Sequence, residues 1–235
     1  MNNLLIPPPT LGWSIRSKTR HFTYYKAVCE SFGTRFGIDP WEICPLFSDC
    51  TDIDFIAKKG IDAIIEKSHL LLKAIQVKYD EYDIKHKPFV MIKTDAGTYG
   101  MAIMSLNSPE DLNHLNRKQR TNMSVRKGGH PVNHVIIQEG VYTFETVGLN
   151  QLVAEPVLYM IGQYVVGGFY RVHQSRDINE NLNSPGMHFE KLSFSQTCIN
   201  PDNQLKTHPL QNHFYVYSVI ARLGHLATCY ERDKV

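Results

Sequence analysis

The chain has 235 residues, 43% hydrophobic and 20% charged, with 25 basic and 23 acidic side chains for a formal charge of +2. That composition excludes a disordered regulator, a collagen-like fibre and a charged tail, and the length allows a core that needs no disulfide or metal staple. So weak a charge provides no global field for nucleic acid or an anionic membrane, so any phosphate must be held by a local site.

In chain order, the first element is a helix. Phe22, Tyr25, Cys29, Phe32 and Phe36 recur at three-and-four spacing, and Gly37 follows as its stop. Asp39-Pro40-Trp41 reads as a cap, a first-turn proline and a short new helix. A longer helix carries Ile61, Ile64, Ile65, Ser68, Leu71, Leu72, Ile75 and Tyr79 on one stripe. Up to Lys87 the chain is therefore expected to be mostly helical. From Pro88 the pattern turns to strands: Phe89–Ile92, then Met101–Leu106, with a helix start at Ser108-Pro109-Glu110-Asp111. His134–Gln138 is a further strand, and Leu152–Ile161 with Tyr164–His173 form a hairpin across Gly162-Gln163. A polar loop over 174–186 and a closing helix over Phe214–Tyr230 complete the reading. The fold class is α+β, an antiparallel-rich sheet with packed helices over 88–235 preceded by a helical segment over 1–87. Without Gly-x-Gly-x-x-Gly in alternating strand–helix units, a dinucleotide fold has no support.

No apolar run is long enough for a signal peptide or a bilayer span: Leu4-Leu5-Ile6 stops at Pro7-Pro8-Pro9, and Leu70-Leu71-Leu72 meets Lys73. Five cysteines, an odd number without Cys-x-x-Cys, point to reduced thiols and a cytoplasmic, membrane-free protein.

Three segments carry chemistry. Lys93 ends a strand just before Thr94-Asp95-Ala96-Gly97-Thr98-Tyr99-Gly100. Glycines 97 and 100 permit a tight loop that offers backbone N–H groups to phosphate, with the lysine ammonium beside it. The same residues also suit a glycine hairpin with a solvated lysine. Gln138-Glu139-Gly140-Val141, at a strand end, is placed to pair an adenine edge and hold ribose hydroxyls, or is merely a strand end. On the hairpin, Gly167, Phe169, Arg171 and His173 alternate onto one face, where the Arg171 fork suits phosphate or a sheet-face ion pair.

Val90–Met101, Ile137–Val141, Glu155-Pro156-Val157 and Val165–Val172, in this order, resemble the proteobacterial-type glutamate–cysteine ligase family, an ATP-grasp-like group of carboxylate–amine ligases. The resemblance extends through Glu180-Asn181-Leu182-Asn183-Ser184-Pro185-Gly186 and back to Trp41 and Gly12-Trp13. It implies an ATP-grasp-like domain using ATP, L-glutamate and L-cysteine, with no nucleic acid. It further implies catalytic roles for Lys93 and Arg171, and ATP contacts from Lys93, Gly97, Thr98, Tyr99, Gly100, Gln138, Glu139, Gly140 and Val141. Mg²⁺ is implied as cofactor, with Glu155, Glu180, Asn181 and Asn183 as its ligands. The Glu-x-Asn pair usual in ATP-grasp enzymes is out of register here, since Glu180 stands two residues before Leu182 and the asparagines are Asn181 and Asn183.

Family members carry a further N-terminal portion, so a separately encoded partner of that kind is expected. It would dock on an apolar surface that includes Trp13, Phe22 and Tyr25. The alternatives are a non-catalytic ATP-binding fragment, a ligase of other specificity, or RNA binding through Arg117, Lys118, Arg120, Arg126 and Lys127.

Overall fold

A computed structural model describes residues 12, 15–97, 100–126, 128–192 and 213–232. The chain divides into two units, one made of Met1–Thr23 and Cys44–Tyr142, the other of Tyr24–Ile43 and Thr143–Val235. The boundary expected after Lys87 falls inside the first unit. Helix α1 (Lys18–Phe36) gives its first six residues to that unit and the rest to the second.

The first unit is a four-stranded antiparallel sheet with a long helix against it. Its strands are β1 (Phe47–Thr51), β2 (Val90–Thr94), β3 (Ile103–Leu106) and β6 (His134–Glu139), in the order β1-β6-β2-β3. Between them lie α2 (Ile61–Glu81), α3 (Arg117–Ser124), and the two-residue strands β4 (Val125–Arg126) and β5 (His130–Pro131), which pair as a ribbon. The α2 stripe is the one its spacing announces: Ile61, Ile64, Ser68, Leu71, Ile75 and Tyr79 are buried. It meets β1, β6 and β2. Val90, Ile92, Val135 and Ile137 are fully buried, and Val90↔Glu139, Ile92↔Ile137 and Thr94↔Val135 set them on one face. Each such side chain contributes about 1.5–3 kcal/mol.

The segment before Lys87 is mostly helical but also contributes β1, which forms the sheet edge against β6. Phe47-Ser48-Asp49-Cys50-Thr51 has three polar residues in five and no helical or strand period of its own; pairing with β6 makes it a strand.

The second unit holds a sheet of order β10-β9-β8-β7, made of β7 (Thr146–Val147), β8 (Leu152–Ile161), β9 (Tyr164–His173) and β10 (Met187–Lys191). The hairpin bounds match the sequence reading, while β7 and β10 had no local signal. Ala154, Tyr170 and Val172 pack with Leu192, Phe214 and Tyr217, the last two from α4 (His213–Arg232). Beside this core Glu145 accepts the hydroxyls of both Tyr170 and Tyr217. Asp39 caps the short 3-10 helix Pro40–Glu42 by accepting the Trp41 N–H at 2.9 Å. Among the described residues every strand pairing is antiparallel, and no helix is long and apolar enough to cross a membrane.

Two of the three aromatic residues expected on an apolar docking surface are described. Tyr25 is buried with its hydroxyl donating to Ile43 O at 2.8 Å, and the Phe22 ring packs against Phe47. Trp13 lies outside the described residues.

Candidate functional site

The polar face of the first sheet collects the first group of side chains. Because Met91 opposes Gln138 and Lys93 opposes Ile136, Lys93 and Gln138 are diagonal neighbours on one face. Lys93 Nζ donates to Gln138 Oε1 at 2.8 Å. Asp49 opposes Ile136 from the other side and Thr51 opposes His134, so Asp49 and His134 share that face. His134 Nε2 lies 2.9 Å from Asp49 Oδ2, and its Nδ1 lies 3.5 Å from Asp95 Oδ2.

The glycine loop leaves this face directly. Gly97 and Gly100 take φ values of +125° and +68°, a region that a side chain disfavours. Thr98 and Tyr99 lie outside the described residues. Two groups from the start of α1 hold the loop. Lys18 Nζ donates to the carbonyls of Thr94 (2.8 Å), Asp95 (3.3 Å) and Gly97 (3.2 Å), and Asp95 Oδ1 accepts the Thr19 N–H at 2.7 Å. Burial alone would raise the Asp95 carboxyl. Hydrogen bonds from Ser17 and Thr19, with His134 nearby, outweigh it and hold the group below the usual carboxylate range. For Lys18 burial prevails and depresses the ammonium, against the pull of Asp95. None of Lys18, Asp49, Asp95 and His134 was singled out from the sequence. Asp95 sat visibly within the loop motif, whereas Lys18 acts on carbonyls 76–79 residues away and left no local trace.

The strand end is mostly committed to the fold. Glu139 Oε2 accepts the Leu46 N–H at 2.8 Å, and the Glu139 N–H donates to Leu46 O. Gly140 donates to Phe89 O, and a Cβ on it would meet the Phe89 ring at 2.2 Å. Its glycine therefore serves close packing. Val141 alone in the run is open, with 67% exposure.

On the second unit the register sets Glu155 opposite Arg171, Val157 opposite Phe169 and Tyr159 opposite Gly167. Arg171 Nη1 donates to Glu155 Oε2 at 3.0 Å, while its Nε is buried with no described acceptor. Tyr159, Phe169 and Phe189 stack along the same face. His173 Nδ1 takes the Ser175 N–H and its Nε2 donates to Pro185 O at 3.0 Å, which ties down the polar loop.

Three of the four residues expected to hold Mg²⁺ have their side chains engaged otherwise, and Asn183 joins through its backbone. Glu155 faces Arg171. Glu180 accepts from the Asp177 N–H at 2.9 Å and from Arg176 Nη1 at 2.5 Å, and these bonds hold its carboxyl below the usual range. Asn181 Oδ1 accepts the Asn183 N–H at 3.0 Å and Asn181 Nδ2 donates to Asn183 O, closing a local turn. As arranged, a cation would have to displace guanidinium groups, so the set does not fit a metal site. Among the described residues no group of three His, Cys, Asp or Glu is placed to hold a metal.

Comparison with known proteins adds what the geometry does not. The GshA family model, described as glutamate-cysteine ligase, matches residues 1–232. A solved structure from Methylobacillus flagellatus KT, described as "Putative gamma-glutamylcysteine synthetase", is 50% identical with a TM-score of 0.84. The match covers 100% of this chain and 55% of that one, so this chain spans little more than half the length of its relative. No curated protein matches the chain. With a family match over nearly its whole length and a close structural relative, the chain belongs to the glutamate-cysteine ligase family.

Proposed function

We propose that this chain takes part in the ATP-dependent joining of the L-glutamate γ-carboxylate to the L-cysteine amine, on an ATP-grasp-like architecture. The γ-phosphoryl group of ATP passes to a carboxylate oxygen, giving an acyl phosphate and ADP. The amine then attacks the acyl carbon, the carbon–oxygen bond to phosphate breaks, and inorganic phosphate and one proton leave. No protein nucleophile is required; the work is positioning and charge stabilisation.

The observation that carries the reading is the union of Lys93 with a loop whose Gly97 and Gly100 take positive φ, in a chain of this family. Lys93 is assigned to the ATP phosphates, shared with backbone N–H groups of the glycine loop (97–100). Val141 is assigned to the adenine edge, because Glu139 and Gly140 are spent on Leu46 and Phe89. Arg171 is assigned to the transferring phosphoryl group, for which its fork is suited. No step depends on a metal held by Glu155, Glu180, Asn181 and Asn183. The reducing cytoplasm suits Cys29, Cys44, Cys50 and Cys229, which carry no disulfide.

The test is product analysis with ATP, glutamate and candidate amines. Phosphate release that requires both amino acids, with γ-glutamylcysteine formed, supports the reading. ATP binding without turnover under any amine would overturn it.

A further inference from the structure

The β4–β5 ribbon brings a second cation to the glycine loop. A Cβ on Gly97 would meet Cβ and Cδ of Arg126 at 3.3 and 3.4 Å, so the arginine stem lies directly on the loop backbone. Lys18, bonded to three carbonyls of the same loop, is depressed first by burial, against the pull of Asp95, and then by the Arg126 charge.

Among the described residues the Arg126 side chain makes no hydrogen bond or ion pair, while its backbone carbonyl accepts the Gly129 N–H, and no acid occurs between Leu112 and Gln138. Asp95, the acid of the loop itself, is turned to the Thr19 N–H and His134. Two cations gathered on a half-buried loop repel each other, and an anion bound there relieves that repulsion. A merely solvated basic face would not set its stem against a loop glycine.

We propose that Arg126 is a further phosphate-contacting residue of the glycine-loop site, its planar fork engaging oxygens of a polyphosphate held on the loop. This rests on the ATP reading above and adds a residue to it from the ribbon.

Calorimetric titration of the full chain with ATP, inorganic tripolyphosphate and adenosine provides the test. Arg126→Gln is expected to weaken ATP and tripolyphosphate roughly ten- to hundredfold, the span of one charged hydrogen bond, and to leave adenosine unchanged. Its ligand-free Tm should equal or exceed the wild-type value, because a repulsion is removed. Arg126→Lys, which keeps stem and charge, should lose several-fold and serves as the readout if the glutamine variant melts early. Arg117→Gln, elsewhere in the basic run, should change nothing. Wild-type affinity for both phosphates in the Arg126 variants overturns the inference while leaving the ATP reading standing, as does equal loss for adenosine. A wild-type chain that binds tripolyphosphate but not ATP keeps the anion site and overturns the nucleotide reading; one that binds neither overturns both.

Discussion

The Asp95 carboxylate accepts the backbone N–H of Thr19 at 2.7 Å, capping from the glycine loop a helix whose second residue lies 76 residues earlier. Lys18, one residue before, returns the contact by donating to the loop carbonyls. The loop is thus braced in both directions, its carboxylate on a helix N-terminus and its carbonyls on an ammonium.

This brace has a pH signature. The folded-state pKa of Asp95 lies below its ordinary value, so its contribution is present above the unfolded pKa of about 3.9. It is lost as pH falls through the lower, folded value. Asp95→Asn keeps an acceptor but not the charge and should lower stability by about 0.5–2 kcal/mol at pH 7, as for other helix caps. Urea melts of the two proteins should converge near the bottom of the acid limb. An undiminished gap there would assign the effect to something other than the charge.

Lys93→Ala should weaken ATP binding by roughly 1.5–3 kcal/mol, the range for hydrogen bonds to charged groups. The lysine sits half-buried on a polar sheet face beside Gln138, ahead of the loop. Unchanged affinity in a folded variant would leave the ammonium with a purely structural role.

Arg171→Lys should depress kcat much more than ATP affinity, since lysine lacks the fork. The pair with Glu155 is partly exposed, with side-chain exposures of 23% and 32%. It should therefore contribute under about 1 kcal/mol to stability. Glu155→Gln is accordingly expected to leave Tm nearly unchanged, which separates a catalytic loss at Arg171 from a folding one. Parallel falls in kcat and affinity would instead assign Arg171 to uniform substrate binding.

Gly140→Ala forces a methyl into the Phe89 ring and should cost about 1–3 kcal/mol by overpacking. Adding Phe89→Leu should recover part of that loss, a coupling that direct contact requires. Additive effects of the two changes would show that the ring does not restrict this position.

The elements legible in the chain's own residues are local. The stripe from Ile61 to Tyr79 announced α2, and the alternation from Tyr164 to His173 announced a strand with Gly167, Phe169 and Arg171 on one face. Both patterns arise from a period written into consecutive residues. The family, too, was legible in the runs around Lys93 and Arg171. Everything that depends on partners far along the chain is settled by packing instead. Phe47–Thr51 becomes a strand because β6 offers it an edge. Glu139 is spent on Leu46 rather than left for ribose because β1 is preceded by that backbone. Lys18 and Arg126 reach the glycine loop from opposite sides in sequence, and no spacing encodes either approach. A helix or hairpin is specified by neighbours in sequence, whereas the partners of a charged side chain are specified by the register and packing that bring distant backbones together.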